Sequence, residues 1–130
     1  MPGKDAADGR MRLTPILRCL DIEWSRTRSE ALFKAMEDTT ETLGGAIEGE
    51  PFFSLDHGPL GKDITVHPLG GCPMADDPAA GVVDAYGRVH GYPGLHVSDG
   101  SIVPGALGVN PSETIAALAE RNVEALIASG

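Results

Sequence analysis

The stretch "LDIEW", Leu20 to Trp24, alternates apolar and acidic residues. That is the period of a half-buried strand. Ser25, Thr27 and Ser29 then offer N-caps for the next segment. In it Ala31, Leu32, Ala35, Met36, Thr39 and Leu43 recur at helical spacing, and Gly44-Gly45 predicts the end of the helix. Phe33 and Met36 are read as core or rim residues. Residues 46 to 66 show only short extended pieces, around Phe52-Phe53 and Ile64 to Val66. "VVDAYGRVHG", Val82 to Gly91, reads as a hairpin around a Tyr-Gly turn. "LHVSDG", Leu95 to Gly100, reads as a short buried strand. The final stretch, "NPSETIAALAERNVEALIASG", gives the clearest helix. Residues 1 to 10 are polar and expected to fray. No internal repeat is visible.

Composition narrows the picture. A chain of 130 residues suits one modest domain and can bury a core. A hydrophobic share of 42% is not that of a disordered chain. The 17 glycines and 10 prolines gather toward the second half, which must be rich in turns. The formal charge of −9 argues against nucleic acid as partner, because phosphate binding needs a basic face. Such acidity suits a solvated surface. Cys19 and Cys72 have no metal-type spacing. Two reduced, partly buried thiols are expected rather than a disulfide. No apolar run approaches the roughly 20 residues of a membrane span. "MPGKDAADGR" has no signal-peptide apolar region, so a cytoplasmic location is the expectation.

Candidate chemistry lies in the second half. "HPLGGCPM", residues 67 to 74, sets His67 beside two glycines and two prolines. Glycines admit close backbone approach and prolines stiffen it, which suggests a histidine presented to a ligand. In the final helix Asn110 suits the N-cap and Pro111 the first helical position. Glu113 would complete a capping box. One reading is simply a well-made helix start. The other notes that a helix N-terminus, entered here through the slender "PGALGVNP", favours an anion or a ring that becomes anionic. Asp99 ends the expected strand before Gly100. It is either a turn aspartate or a carboxylate that accepts hydrogen bonds from sugar-type hydroxyls. His57, His90, His96 and Tyr86 are read as surface, structural or turn residues.

Taken together, "HPLGGCPM" and "DAYGRVHGYPGLHVSDGSIVPGALGVNPSETIAALAERN" resemble the C-terminal part of the glucose–methanol–choline (GMC) flavoprotein oxidoreductases, most of all their cholesterol oxidase-like branch. The likeness runs from His67 to about Ile127. It implies an α/β (α+β) fragment: the C-terminal portion of a GMC-type FAD/NAD(P)-binding fold plus the end of its substrate-binding sheet domain. The implied division is a flexible N-terminus over 1–11, the end of the substrate-binding domain over 12–66, and the C-terminal part of the FAD-binding domain over 67–130. The resemblance also implies FAD as cofactor and an alcohol as substrate, with hydride passing from the carbinol carbon to the flavin. His67 and Asn110 match the catalytic positions. An imidazole suits the hydroxyl proton because it titrates near neutral pH. Asp99, Gly100, Asn110, Pro111 and Ser112 match cofactor-binding positions.

The chain contains no G-x-G-x-x-G. In the family that fingerprint grips the FAD diphosphate near the N-terminus. The expectation is therefore a C-terminal fragment or subunit whose partner is the missing N-terminal FAD-binding half, in cis or as a separate chain. The alternative is a truncated structural or interaction module that does not bind FAD alone.

Overall fold

The computed structural model describes residues 3–50 and 65–130. Its first half is an antiparallel ribbon and a helix. Strand β1 (Arg10–Leu13) pairs with β2 (Leu20–Glu23), so that Met11 faces Ile22 and Leu13 faces Leu20. Period-two alternation then puts these four apolar side chains on one face of the ribbon. The other face carries Arg10, Arg12, Asp21 and Glu23, with Arg12 and Glu23 paired at 3.4 Å. The strand expected at Leu20 is present, but exposed and not half-buried: Ile22 and Leu20 remain 63% and 60% accessible. Met11 reaches the second half of the chain. Its Cε would lie 2.2 Å from a Cβ placed on Gly71.

Residues 3–9 contact the ribbon and the helix that follows it. The Trp24 indole donates to Asp5 Oδ2 at 3.2 Å, and Asp8 pairs with Arg28. The Ala6 N–H donates to the buried Ser29 hydroxyl at 3.0 Å. That bond occupies Ser29, which stands at the helix N-cap without capping it. Ser25 instead caps a short 3-10 turn over Arg26–Ser29. Phe33, half-buried as read from the sequence, takes Trp24 edge-on at 6.0 Å.

Helix α1 spans Glu30–Ala46 and runs through Gly44-Gly45, which were expected to end it. The stop lies further on. Gly49 N–H bonds Gly44 O at 2.9 Å and Glu48 N–H bonds Gly45 O at 3.4 Å. This is the paired closure of a Schellman end. Its left-handed position is held by Glu48, at φ 51°, where a glycine would ordinarily stand. The extended pieces around Phe52-Phe53 and Ile64, and His57, lie outside the described residues.

The second half is built of turns around a small core of Val83, Ile102 and Val103. The expected hairpin forms as a narrow pair: Val83 bridges Val89, and Asp84 N–H bonds Arg88 O at 3.0 Å. Tyr86 lies in its turn and Gly87 takes φ 74°. "LHVSDG" is no buried strand. It contributes a single bridge, His96 to Arg88, and Leu95 is 52% exposed. Asp99 breaks it off by opening a 3-10 turn at Gly100–Ile102. His90 is structural, its Nε2 lying 3.0 Å from Ala75 O. Both cysteines are free. Cys72 is half-buried, but Cys19 is exposed, not partly buried as expected. Helix α2, Ser112–Ser129, closes the chain. It docks through buried Asn122, whose Nδ2 donates to Val97 O at 3.4 Å and lies 3.5 Å from Ser98 Oγ.

Candidate active site

The site is assembled at the head of α2. Pro111 is buried, at φ −88° and ψ −2°, and its carbonyl accepts from Ile115 N–H at 2.8 Å. It therefore stands at the N-cap itself, one residue later than the sequence pattern suggested. A proline side chain has no acceptor, so the first turn receives no side-chain cap. The capping box expected from Asn110 and Glu113 is not formed, and Asn110 is exposed. The leading N–H groups of α2 thus have neither an intrahelical partner nor a side-chain cap.

His67 comes to this helix head. It is half-buried, and its Nε2 lies 3.3 Å from Ser112 Oγ. Its own N–H donates to Thr65 Oγ1 at 3.3 Å. The approach is fixed by backbone. Gly70, Cys72 and Met74 N–H groups bond the carbonyls of Gly100, Ser101 and Ile102 at 3.3, 3.0 and 2.9 Å. "HPLGGCPM" is therefore laced along the 3-10 turn that follows Asp99.

Gly100 is the joint of this arrangement. A Cβ there would lie 3.1 Å from Ile115 Cδ1, 3.3 Å from Leu69 Cδ2 and 3.3 Å from Pro68 O. One atom of α2 and two of the histidine loop converge there, so a side chain at this position would require its neighbours to give by a few tenths of an ångström. Gly70 and Gly71, at φ 81° and 107°, supply the bends that no other residue takes easily. The paired glycines beside His67 thus serve the turn of the loop.

Asp99 is a turn aspartate in this structure. Its Oδ1 accepts from Ser101 Oγ at 2.5 Å and from Ser101 N–H at 2.8 Å. Those two bonds, the hydroxyl first, hold its carboxyl below the ordinary carboxylate value. Asp84 is held low as well. Burial acts to raise it, but the N–H groups of Arg88 and Tyr86 and the Arg88 guanidinium outweigh that. Both folded-state values lie below the unfolded reference of 3.8. Their stabilisation is therefore present above that pH and is lost as pH falls through the folded values. A thermal-melt series should show a drop on acidification below about pH 4. It should be shallower in the Asp84→Asn, Asp99→Asn double variant. An equal drop in both would exclude these two carboxylates as its source.

Of the residues singled out from sequence, the structure puts His67 against Ser112. It packs Gly100 against Pro68 and Leu69 of the histidine loop and Ile115 of α2, and leaves Asn110 exposed beside Pro111. Ser112 was singled out as a cofactor-binding position, and the contact of its hydroxyl with His67 was missed. The available signal was a hydroxyl residue directly after Asn-Pro. Among the described residues no cluster of histidine, cysteine, aspartate and glutamate is arranged to hold a metal ion.

The family model for GMC oxidoreductase matches residues 5–119. The chain belongs to the GMC oxidoreductase family. This family of flavoprotein oxidoreductases acts on alcohols, and the match spans the histidine loop, the 3-10 turn and the head of α2. A cholesterol oxidase of Acinetobacter baumannii is 44% identical over 82 residues, which is 63% of this chain and 15% of that protein. A cholesterol oxidase of Mycobacterium tuberculosis is 57% identical over 58 residues, 45% of this chain and 10% of that protein. Paromamine 6'-oxidase of Streptomyces fradiae is 47% identical over 60 residues, 46% of this chain and 11% of that protein. The chain thus spans 10–15% of the length of these curated relatives. Among the described residues no helix is long and apolar enough to cross a membrane.

Proposed function

We propose that this chain is the C-terminal part of an FAD-dependent GMC oxidoreductase that oxidises the CH–OH group of an alcohol. The observation that carries this reading is His67 Nε2 at 3.3 Å from Ser112 Oγ, at the uncapped head of α2. An imidazole is thereby held beside N–H donors that no side chain caps. One group suits a hydroxyl proton, the other suits a ring that gains negative charge.

FAD, when bound, supplies the hydride acceptor. The residues present fit it: the α2 head is left without a side-chain cap, and exposed Asn110 and Ser112 flank it. The N–H groups of the first turn and the Asn110 amide would face the pyrimidine edge. Asp99 would turn its second carboxylate oxygen to the ribityl–diphosphate region, with Gly100 and Pro111 backbone lining the approach. His67 would orient the alcohol and receive its hydroxyl proton. A sterol-like alcohol is favoured by the two cholesterol oxidases, while the paromamine oxidase widens the class to sugar-type alcohols.

The 130 residues hold no G-x-G-x-x-G, so the isolated chain is expected to bind FAD weakly or not at all. Flavin absorbance of the purified chain, with and without the N-terminal FAD-binding portion, measures this. A yellow isolated chain with stoichiometric FAD overturns the expected dependence on a partner. The function itself is tested on the assembled, FAD-loaded enzyme. Sterols, aminoglycoside-type alcohols and choline are added without oxygen, and bleaching of the flavin band is followed. Bleaching by one class identifies the substrate. The missing fingerprint also favours a second reading, a module without chemistry. That reading is supported if the assembled enzyme binds FAD and no alcohol bleaches it.

A further inference from the structure

We propose that the apolar face of the β1–β2 ribbon is the surface on which the FAD-binding portion of the oxidoreductase docks; the inference rests on the reading of this chain as a C-terminal part, given under Proposed function. Met11, Leu13, Leu20 and Ile22 stand together on this face. Ile16 and Leu17 add to the apolar surface in the connecting turn, 91% and 77% accessible. The opposite face carries Arg10, Arg12, Asp21 and Glu23. One side of the ribbon is thus made for water and the other is not. A two-stranded ribbon is marginal in water unless a further strand or a helix packs on its apolar side. Among the described residues nothing buries Leu13, Leu20 or Ile22. Contiguous exposed apolar side chains of this kind mark an interaction surface.

The occupant follows from length and charge. The ribbon lies within residues 5–119, which the family model matches, so it is an element of the family and not an appended arm. The 82 residues shared with the Acinetobacter baumannii cholesterol oxidase make up 15% of that protein. Most of an enzyme of that length therefore lies outside these 130 residues, and it has ample surface to cover the ribbon. A second copy of this chain is the poorer fit, because each copy carries a formal charge of −9 and the two repel. The face also leads to the chemistry. Met11 occupies the space that a side chain at Gly71 would need, in the loop that presents His67. A partner seated on the ribbon thus reaches the edge of the histidine loop.

Hydroxyl-radical footprinting, read by mass spectrometry, compares the chain alone with the assembled, FAD-loaded enzyme. Modification of Met11, Leu20 and Ile22 should fall several-fold on assembly. Leu20→Thr combined with Ile22→Thr keeps strand-favouring side chains but puts hydroxyls on the face. With the FAD-binding portion supplied as a separate chain, this double variant should bind it roughly ten- to a hundredfold more weakly, the span of a few buried methyl groups. Asp21→Thr, on the charged face, should bind as the wild type does. A face that stays reactive in the assembled enzyme, or a double variant of unchanged affinity, overturns the proposal. So does a face already protected in the chain alone, whether within one copy or in a dimer seen by sedimentation. Should the double variant lose the ribbon, the wild-type footprint gives the answer by itself. Neither readout uses turnover. A protected face in an enzyme whose flavin no alcohol bleaches leaves the docking surface standing and removes the alcohol chemistry. A bleached flavin with the face still reactive does the reverse.

Discussion

Replacing His67 with glutamine in the assembled enzyme is expected to lower turnover by about 10²–10⁴-fold while FAD content stays near that of the wild type. The separation follows from where His67 stands. Its ring contacts the hydroxyl of the first residue of α2, while the backbone bonds that hold the loop come from Gly70, Cys72 and Met74. Glutamine keeps a polar, hydrogen-bonding side chain of similar reach but cannot take up a proton near neutral pH. The laced backbone along Gly100–Ile102 should persist, and with it the helix head at which the cofactor is proposed to bind. Steady-state kinetics with the best alcohol, set beside the ratio of flavin to protein absorbance, gives both quantities. Equal losses of flavin and turnover would make His67 an anchor of the cofactor. Wild-type turnover would remove it from the reaction.

Features governed by local rules were legible in the sequence. Helix α2 follows from a long apolar period after Asn-Pro, and it is present from Ser112. The turn at Tyr86-Gly87 follows from glycine between two short apolar pieces, and it forms. The His67 loop and the head of α2 were singled out separately, and the structure brings them into contact.

What was not legible depends on competition between neighbours. Gly44-Gly45 looked like a helix end, but the run Glu30 to Leu43 carries the helix past two residues of low propensity. Its actual end needs only one left-handed residue, which Glu48 supplies. Ser29 looked like a cap, but its hydroxyl is spent on Ala6 N–H, twenty-three positions away in sequence. Asn110 lost the cap to Pro111 because the proline backbone was already close to helical. The alternation of "LDIEW" correctly placed a strand. It could not say that the apolar face of the ribbon would stand exposed over most of its length. Periodicity reports which side is apolar, and not what covers it.

Gly87→Ala should destabilise the fold by about 2–5 kcal/mol, a large share of the ~5–15 kcal/mol that holds an ordinary domain together. Two costs combine. Gly87 sits at φ 74°, where an L side chain costs about 1–2 kcal/mol. Its Cβ would also fall 2.3 Å from Val97 O and 2.6 Å from Asn122 Nδ2. One of those atoms is backbone, so relief requires a shift of the chain, and overpacking of this kind costs about 1–3 kcal/mol. The collision strikes the bonds that seat α2. Val97 O accepts from Asn122 Nδ2, and Val97 N–H bonds Gly87 O at 2.8 Å. Asn122 Oδ1 is already buried without a partner, so the amide has little to fall back on. Gly91→Ala separates the two costs, because Gly91 has φ 77° and no atom within 4 Å of its Cβ position. It should lose only the backbone share. Urea melts of the wild type and both variants, fitted with a common slope, provide the comparison. Gly87→Ala falling well below Gly91→Ala would show that α2 is seated through this contact. Equal losses would show that the hairpin and helix part without cost, and that something other than Asn122 fixes the helix whose head meets His67.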